Sequence, residues 1–110
     1  YNVNGLGQIA ALATLSDLPY YRDKFKCIID TRERLSRELA RLGFAVLPSQ
    51  TNFIFARPPK FPAETWLRKL RDNKILVRWF KQPEIADYLR VTIGADAEAD
   101  ALLRAARKIL

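Results

Sequence analysis

Residues 20–42 constrain this chain more than any other stretch. Apolar residues recur there as Phe25, Ile28, Ile29, Leu35, Leu39 and Leu42, with Arg and Glu between them. Steps of three and four are the period of an α-helix that carries one apolar face. Gly43 follows at the place where a helix C-cap favours glycine, and Arg37 and Arg41 suit the negative end of the helix dipole. A long amphipathic helix must lay its stripe on another layer, and the rest of the chain is read for that layer.

Residues 8–15 are apolar and Ala-rich, including Ile9, Ala10, Ala11, Leu12 and Ala13, and predict a short buried helix broken around Asp17, Leu18 and Pro19. After Gly43, strand formers occupy 44–47 and 51–55, on either side of a turn at Pro48, Ser49 and Gln50. Pro58 and Pro59 end the second strand. Pro62 opens a helix with Trp66, Leu67 and Leu70 on one side, ending near Asp72 and Asn73. Residues 75–78 read as a strand that Arg78 closes, and 81–84 as a polar connection. Residues 88–93 alternate, placing Leu89, Val91 and Ile93 on one face and Tyr88, Arg90 and Thr92 on the other. Gly94 turns the chain into a last helix over 96–110, striped by Leu102, Leu103, Ala106 and Ile109. The order α-α-β-β-α-β-β-α predicts an α+β fold: a small, mostly antiparallel sheet of about four strands covered by helices, in one domain over 1–110.

Composition removes several chemistries. With 110 residues, 49% of them hydrophobic, the chain can bury an ordinary core. It contains no His and one Cys, which excludes an internal disulfide, a Ser-His or Cys-His nucleophile and a zinc site, so metal ligands are expected to be none. Cys27, among the apolar positions of the long helix, reads as a small buried hydrophobe. No apolar run is long enough for a membrane helix, and the start lacks the layout of a signal peptide, so a soluble, unprocessed chain is expected. The net charge is +7, yet the positive residues are scattered, and Arg32, Glu33, Arg34, Arg37 and Glu38 mix signs as a solvated helix face does. Neither nucleic acid nor a membrane is expected as a partner. Tyr1, Asn2, Val3 and Asn4, with no leading Met, read as the middle of a longer protein.

The sharpest chemical feature is a pair of strand arginines, Arg78 and Arg90. An arginine within an apolar strand is unfavourable unless its guanidinium meets an anion or reaches solvent. Two forks together suit a phosphate monoester; alternatively, Arg90 faces solvent on an open sheet or pairs with Asp87 or Glu84. Asn52 either orients a ligand or bonds the 48–50 turn, the second being the commoner use of such a residue. Trp79 and Phe80 stack on a ring, seal a pocket or fill a core or interface. Gly5, Leu6 and Gly7 make a turn rather than a phosphate loop, since no strand precedes them and the third glycine is missing.

The segments 1–4 with Gln8, 47–53, 75–78 and 88–94 occur in the order found at the C-terminal end of histidinol-phosphate aminotransferases, with Arg78 and Arg90 in register twelve residues apart. The chain resembles that family over essentially its whole length. The resemblance implies a fold-type I enzyme using pyridoxal 5'-phosphate, a cytoplasmic homodimer of histidine biosynthesis that transaminates L-histidinol phosphate with 2-oxoglutarate. It would make residues 1–110 the small C-terminal domain, with the large cofactor-binding domain absent. It implies substrate-binding roles for Arg90, at the position gripping the substrate's anionic end, and for Arg78, its companion toward the phosphate, and no catalytic or cofactor-binding residue in this chain. The isolated chain is therefore expected to be inactive. Residues 1–4 resemble the stretch running toward the dimer's active site and would line the cleft. Two departures, Ala95 where many relatives have a capping Thr, with Asp96 an imperfect substitute, and Lys81 where many have an acidic residue nearby, leave the substrate open. A related aromatic amino-acid aminotransferase or threonine-phosphate decarboxylase remains an alternative, and so, outside enzymes, does a stand-alone α+β ligand- or RNA-binding module.

Overall fold

The computed structural model describes residues 2–110, so Tyr1 and the cleft-lining role expected of it lie outside the described residues. Eight elements follow in the expected order: α1 Gly5–Ser16, α2 Leu18–Arg41, β1 Ala45–Val46, β2 Phe53–Arg57, α3 Ala63–Asp72, β3 Arg78–Trp79, β4 Leu89–Thr92 and α4 Asp96–Ile109. The strands form one antiparallel sheet in the order β1-β2-β4-β3, which makes the fold α+β. The described helices include none long and apolar enough to cross a membrane.

Alternation decides the core. Ile54 and Ala56 of β2 and Leu89, Val91 and Ile93 of β4 and its continuation point to one side of the sheet and are buried there. Leu35 and Leu39 of α2, Trp66 and Leu70 of α3, and Leu102, Leu103 and Ala106 of α4 complete the cluster. Burying each large apolar side chain contributes roughly 1.5–3 kcal/mol. Trp66 is the largest of them; its ring meets Phe44 edge-on, and its indole N–H donates to the Pro59 carbonyl at 2.8 Å, so no buried donor is left over.

The end of α2 is set by Gly43. Its φ of +89° is the left-handed conformation that a Cβ disfavours. That conformation lets Gly43 N–H reach the Ala40 carbonyl at 2.9 Å and Phe44 N–H reach Leu39 at 3.1 Å, a Schellman closure that turns the chain into β1. At the other end of the core, α4 begins with half a capping box. Glu98 folds back to accept from Ala95 N–H at 2.8 Å, while Ala95 itself has no side-chain acceptor to offer. The Glu98 carboxylate occupies the space where a Cβ on Gly94 would stand, 2.0 Å from its Oε2, so the glycine admits this close approach. Asp96 does not cap the helix. It accepts from Thr31 and Arg34 of α2, both at 2.9 Å, and these bonds, Arg34 first, hold its carboxyl below the usual carboxylate range.

Several expectations change. The helix over 8–15 begins at Gly5, with Gly5, Leu6 and Gly7 as its first turn, and it is not buried: Leu6 is 82% exposed, and Ile9, Leu12 and Leu15 are open as well. Asn4 caps it, accepting from Gly7 N–H at 2.7 Å. Cys27 is exposed, because all the buried residues of α2 (Thr31, Arg32, Leu35 and Leu39) lie in its second half, over the sheet. Arg32, read as part of a solvated face, is 8% exposed and donates from Nη1 to the Thr51 carbonyl at 2.9 Å, tying the turn before β2 to the helix. The strand expected over 75–78 shrinks to Arg78 and Trp79, so Arg78 opens β3 rather than closing it.

Candidate functional site

The period of two that buries Leu89 and Val91 sends Arg90 to the face of the sheet opposite the core. Across β3, the Cα partner of Arg90 is Arg78; across β2, it is Phe55. The two arginines, twelve residues apart in sequence, are thus direct cross-strand neighbours. Phe53 and Phe55 lie on the same face two residues apart along β2, and Phe80 follows Arg78 by the same step.

The rings floor the guanidiniums. Arg90 Cζ lies 5.4 Å from the Phe53 ring and 5.6 Å from the Phe80 ring, and Arg78 Cζ lies 5.2 Å from Phe80, all within cation–π range. Phe55 ties the floor together, 5.9 Å from Phe53, 6.4 Å from Tyr88 and 6.5 Å from Phe80 between centroids. Among the described residues neither arginine makes an ion pair, so the pairing of Arg90 with Asp87 or Glu84 is not formed. Arg90 is half-buried, and its Nε is buried without a hydrogen-bond partner.

Like charges directly opposite on a sheet oppose folding by roughly 0.2–1 kcal/mol, and a buried unpaired donor by about 1–3 kcal/mol. Aromatic contacts offset part of this. What would satisfy both guanidiniums is an anion received on the open face, accepting several N–H bonds from two forks.

The neighbours position this pair. Trp79 points the other way, packs against the core and donates from its indole N–H to the Ala86 carbonyl at 2.7 Å, anchoring the connection that returns to β4 and with it the register of Arg78 against Arg90. Asn52 neither bonds the 48–50 turn nor joins the arginines. Its side chain is exposed, its carbonyl accepts from Ile93 N–H at 2.8 Å, and the turn is held by the Ser49 and Thr51 hydroxyls instead. Those hydroxyls bond backbone groups two and four residues away, the local closure that Ser and Thr side chains favour. The sequence singles out the two arginines and raises Phe80 as a stacking residue, and the structure brings all three together on one face of the sheet. Phe53 and Phe55 were not singled out, although their spacing of two in a strand flanked by Ile54 and Ala56 signals rings on the face away from the core.

The family model for aminotransferase class I and II matches residues 1–109. Histidinol-phosphate aminotransferase 2 of Burkholderia mallei is 44% identical over 110 residues, 100% of this chain and 31% of that protein. The histidinol-phosphate aminotransferase of Microcystis aeruginosa is 40% identical over 110 residues, 100% of this chain and 32% of its own. This chain therefore spans about a third of the length of the curated relatives it matches. Among solved structures, histidinol-phosphate aminotransferase from Sinorhizobium meliloti in complex with pyridoxal-5'-phosphate superposes with a TM-score of 0.78 at 29% identity, over 94% of this chain and 30% of that one. A decarboxylase from Sulfurospirillum multivorans shares the fold, with a TM-score of 0.86 at 22% identity, over 100% of this chain and 33% of that one.

Proposed function

This chain belongs to the class I and II aminotransferase family, and from that premise we propose that it is the small C-terminal domain of a pyridoxal-phosphate-dependent histidinol-phosphate aminotransferase and carries the grip on the anionic end of the substrate. The observation that carries the proposal is the Arg78–Arg90 cross-strand pair, which has no carboxylate partner among the described residues and lies on an aromatic floor. L-Histidinol phosphate as amino donor and 2-oxoglutarate as acceptor both end in anions that such a pair can hold.

Arg90, fixed between Phe53 and Phe80, binds one edge of the anion. Arg78, exposed, reaches it from the next strand. The rings exclude water from beneath the guanidiniums and so strengthen their bonds to the anion. The face offers guanidiniums and rings and, among the described residues, no carboxylate paired to them; it fits the substrate's anionic group rather than the cofactor's pyridine nitrogen. The cofactor would be held by the rest of the enzyme, where it supplies an electron sink for transfer of the amino group. The exposed apolar residues around α1, Leu6, Ile9, Leu12 and Leu15, support packing against that remainder. A cytoplasmic homodimer is the assembly proposed for the complete enzyme.

The test is Arg90→Ala in the full-length enzyme. Losing charge-assisted hydrogen bonds of about 1.5–3 kcal/mol should raise the KM for L-histidinol phosphate roughly ten- to hundredfold. Affinity for pyridoxal phosphate, titrated into the apoenzyme, should stay unchanged, and equal loss of both would count against the clamp.

A further inference from the structure

We infer that Phe80 is a positioning residue that sets how the enzyme discriminates a phosphate monoester from a carboxylate, through its hold on Arg78; this rests on the clamp reading above. Two arginines share the site, but they are not held alike. Arg90 lies against two rings, Phe53 and Phe80, and is half-buried. Arg78 is exposed, makes no ion pair or side-chain hydrogen bond among the described residues, and has one aromatic contact, the Phe80 ring at 5.2 Å. Among the described residues Phe80 is therefore the one ring within cation–π range of both guanidiniums, and for Arg78 it supplies the anchor.

Its own position is determined by the strand. Following Arg78 by two residues, with Trp79 turned into the opposite layer, it is directed to the open face, where Phe55 supports it at 6.5 Å. Without the ring, Arg78 regains the rotamer freedom of a long exposed side chain and Arg90 keeps its contact with Phe53. The two substrates differ in how many forks they need. A carboxylate has two oxygens and is satisfied by one guanidinium, whereas a phosphate monoester, with close to two charges and three terminal oxygens, can engage both. Loosening Arg78, which loses its ring, more than Arg90, which keeps Phe53, must then penalise the phosphate more than the carboxylate.

The experiment uses the full-length enzyme with Phe80→Leu and Phe80→Tyr. Loss of aromatic contacts of this strength should raise the KM for L-histidinol phosphate about three- to tenfold in Phe80→Leu, with kcat within about twofold. The KM for 2-oxoglutarate should move by less than about twofold, and inorganic phosphate should weaken as a competitive inhibitor in parallel with the phosphorylated donor. Phe80→Tyr, which retains a ring, should restore all of these. Equal shifts for donor and acceptor, a fall in kcat without a change in KM, or failure of tyrosine to rescue would overturn the assignment. Arg90→Ala, run alongside, separates the two ideas. If it raises the KM while Phe80→Leu does not, Phe80 has no such role and the clamp stands; if Arg90→Ala leaves both KM values unchanged, the clamp falls and the role of Phe80 with it.

Discussion

Replacing Arg90 by Met should leave the folded chain as stable as before or more so, although it removes the side chain on which the proposed function depends. The charged group loses two cation–π contacts, at 5.4 and 5.6 Å, worth about 0.5–1 kcal/mol each where partly exposed. Against that, the buried Nε without a partner disappears, a relief of about 1–3 kcal/mol. Repulsion from Arg78, directly across the sheet, disappears too, a further relief of about 0.2–1 kcal/mol. The thioether keeps a polarizable contact with the same rings, worth about 0.3–1.5 kcal/mol. The balance centres on a gain of about 2 kcal/mol, or roughly 8–16 °C in melting temperature for a domain near this size. Urea denaturation of the 110-residue chain, followed by far-ultraviolet circular dichroism, measures it. A loss of more than about 1 kcal/mol at unchanged m-value would refute the idea that Arg90 is retained for an anion at the expense of the fold.

Gly43→Ala should destabilise the chain by about 1–2 kcal/mol in the same denaturation assay, because φ is +89° while the nearest atom to a new Cβ, Pro59 Cβ at 3.6 Å, leaves room; the loss comes from the backbone alone, and a neutral result would show that α2 can end another way. The junction of α2 with α4 should weaken in acid. The Arg34 and Thr31 bonds lower the folded pKa of Asp96, so the stability they contribute is present above the ordinary carboxylate value and fades as pH falls from about 4 through the lower folded value. Arg34, raised by Asp100 and then Asp96, keeps its contribution until strongly alkaline pH. Denaturation midpoints measured against pH should show a shallower acid limb in Thr31→Val, and an unaltered limb would remove Asp96 from the account.

The recurrence of apolar residues along α2 and α4, and the alternation through 88–93, were enough to establish by themselves how many layers the chain builds, because a helix or strand with one apolar face has one way to bury it. Gly43 likewise announced the end of its helix through a conformation that other residues disfavour. Those are local facts, and local physics reads them. The arginine pair was legible as a charge problem in strands, and the sequence kept three solutions open: an anion, solvent or a nearby carboxylate.

Tertiary structure removed the carboxylate among the described residues and set the two guanidiniums side by side, since cross-strand register is a relation between distant segments. Placing Arg78 opposite Arg90, with Phe53 and Phe80 beneath, depends on how β3 and β4 align, and nothing in either strand alone states that alignment. The same holds for burial. Periodicity says that a helix has an apolar face but not what covers it, so Cys27 and the apolar residues of α1 lie open where the sheet does not reach, while Arg32, polar by composition, is buried where the Thr51 carbonyl meets it. Sequence determined which surfaces seek partners; packing in three dimensions determined which of them find one within these 110 residues.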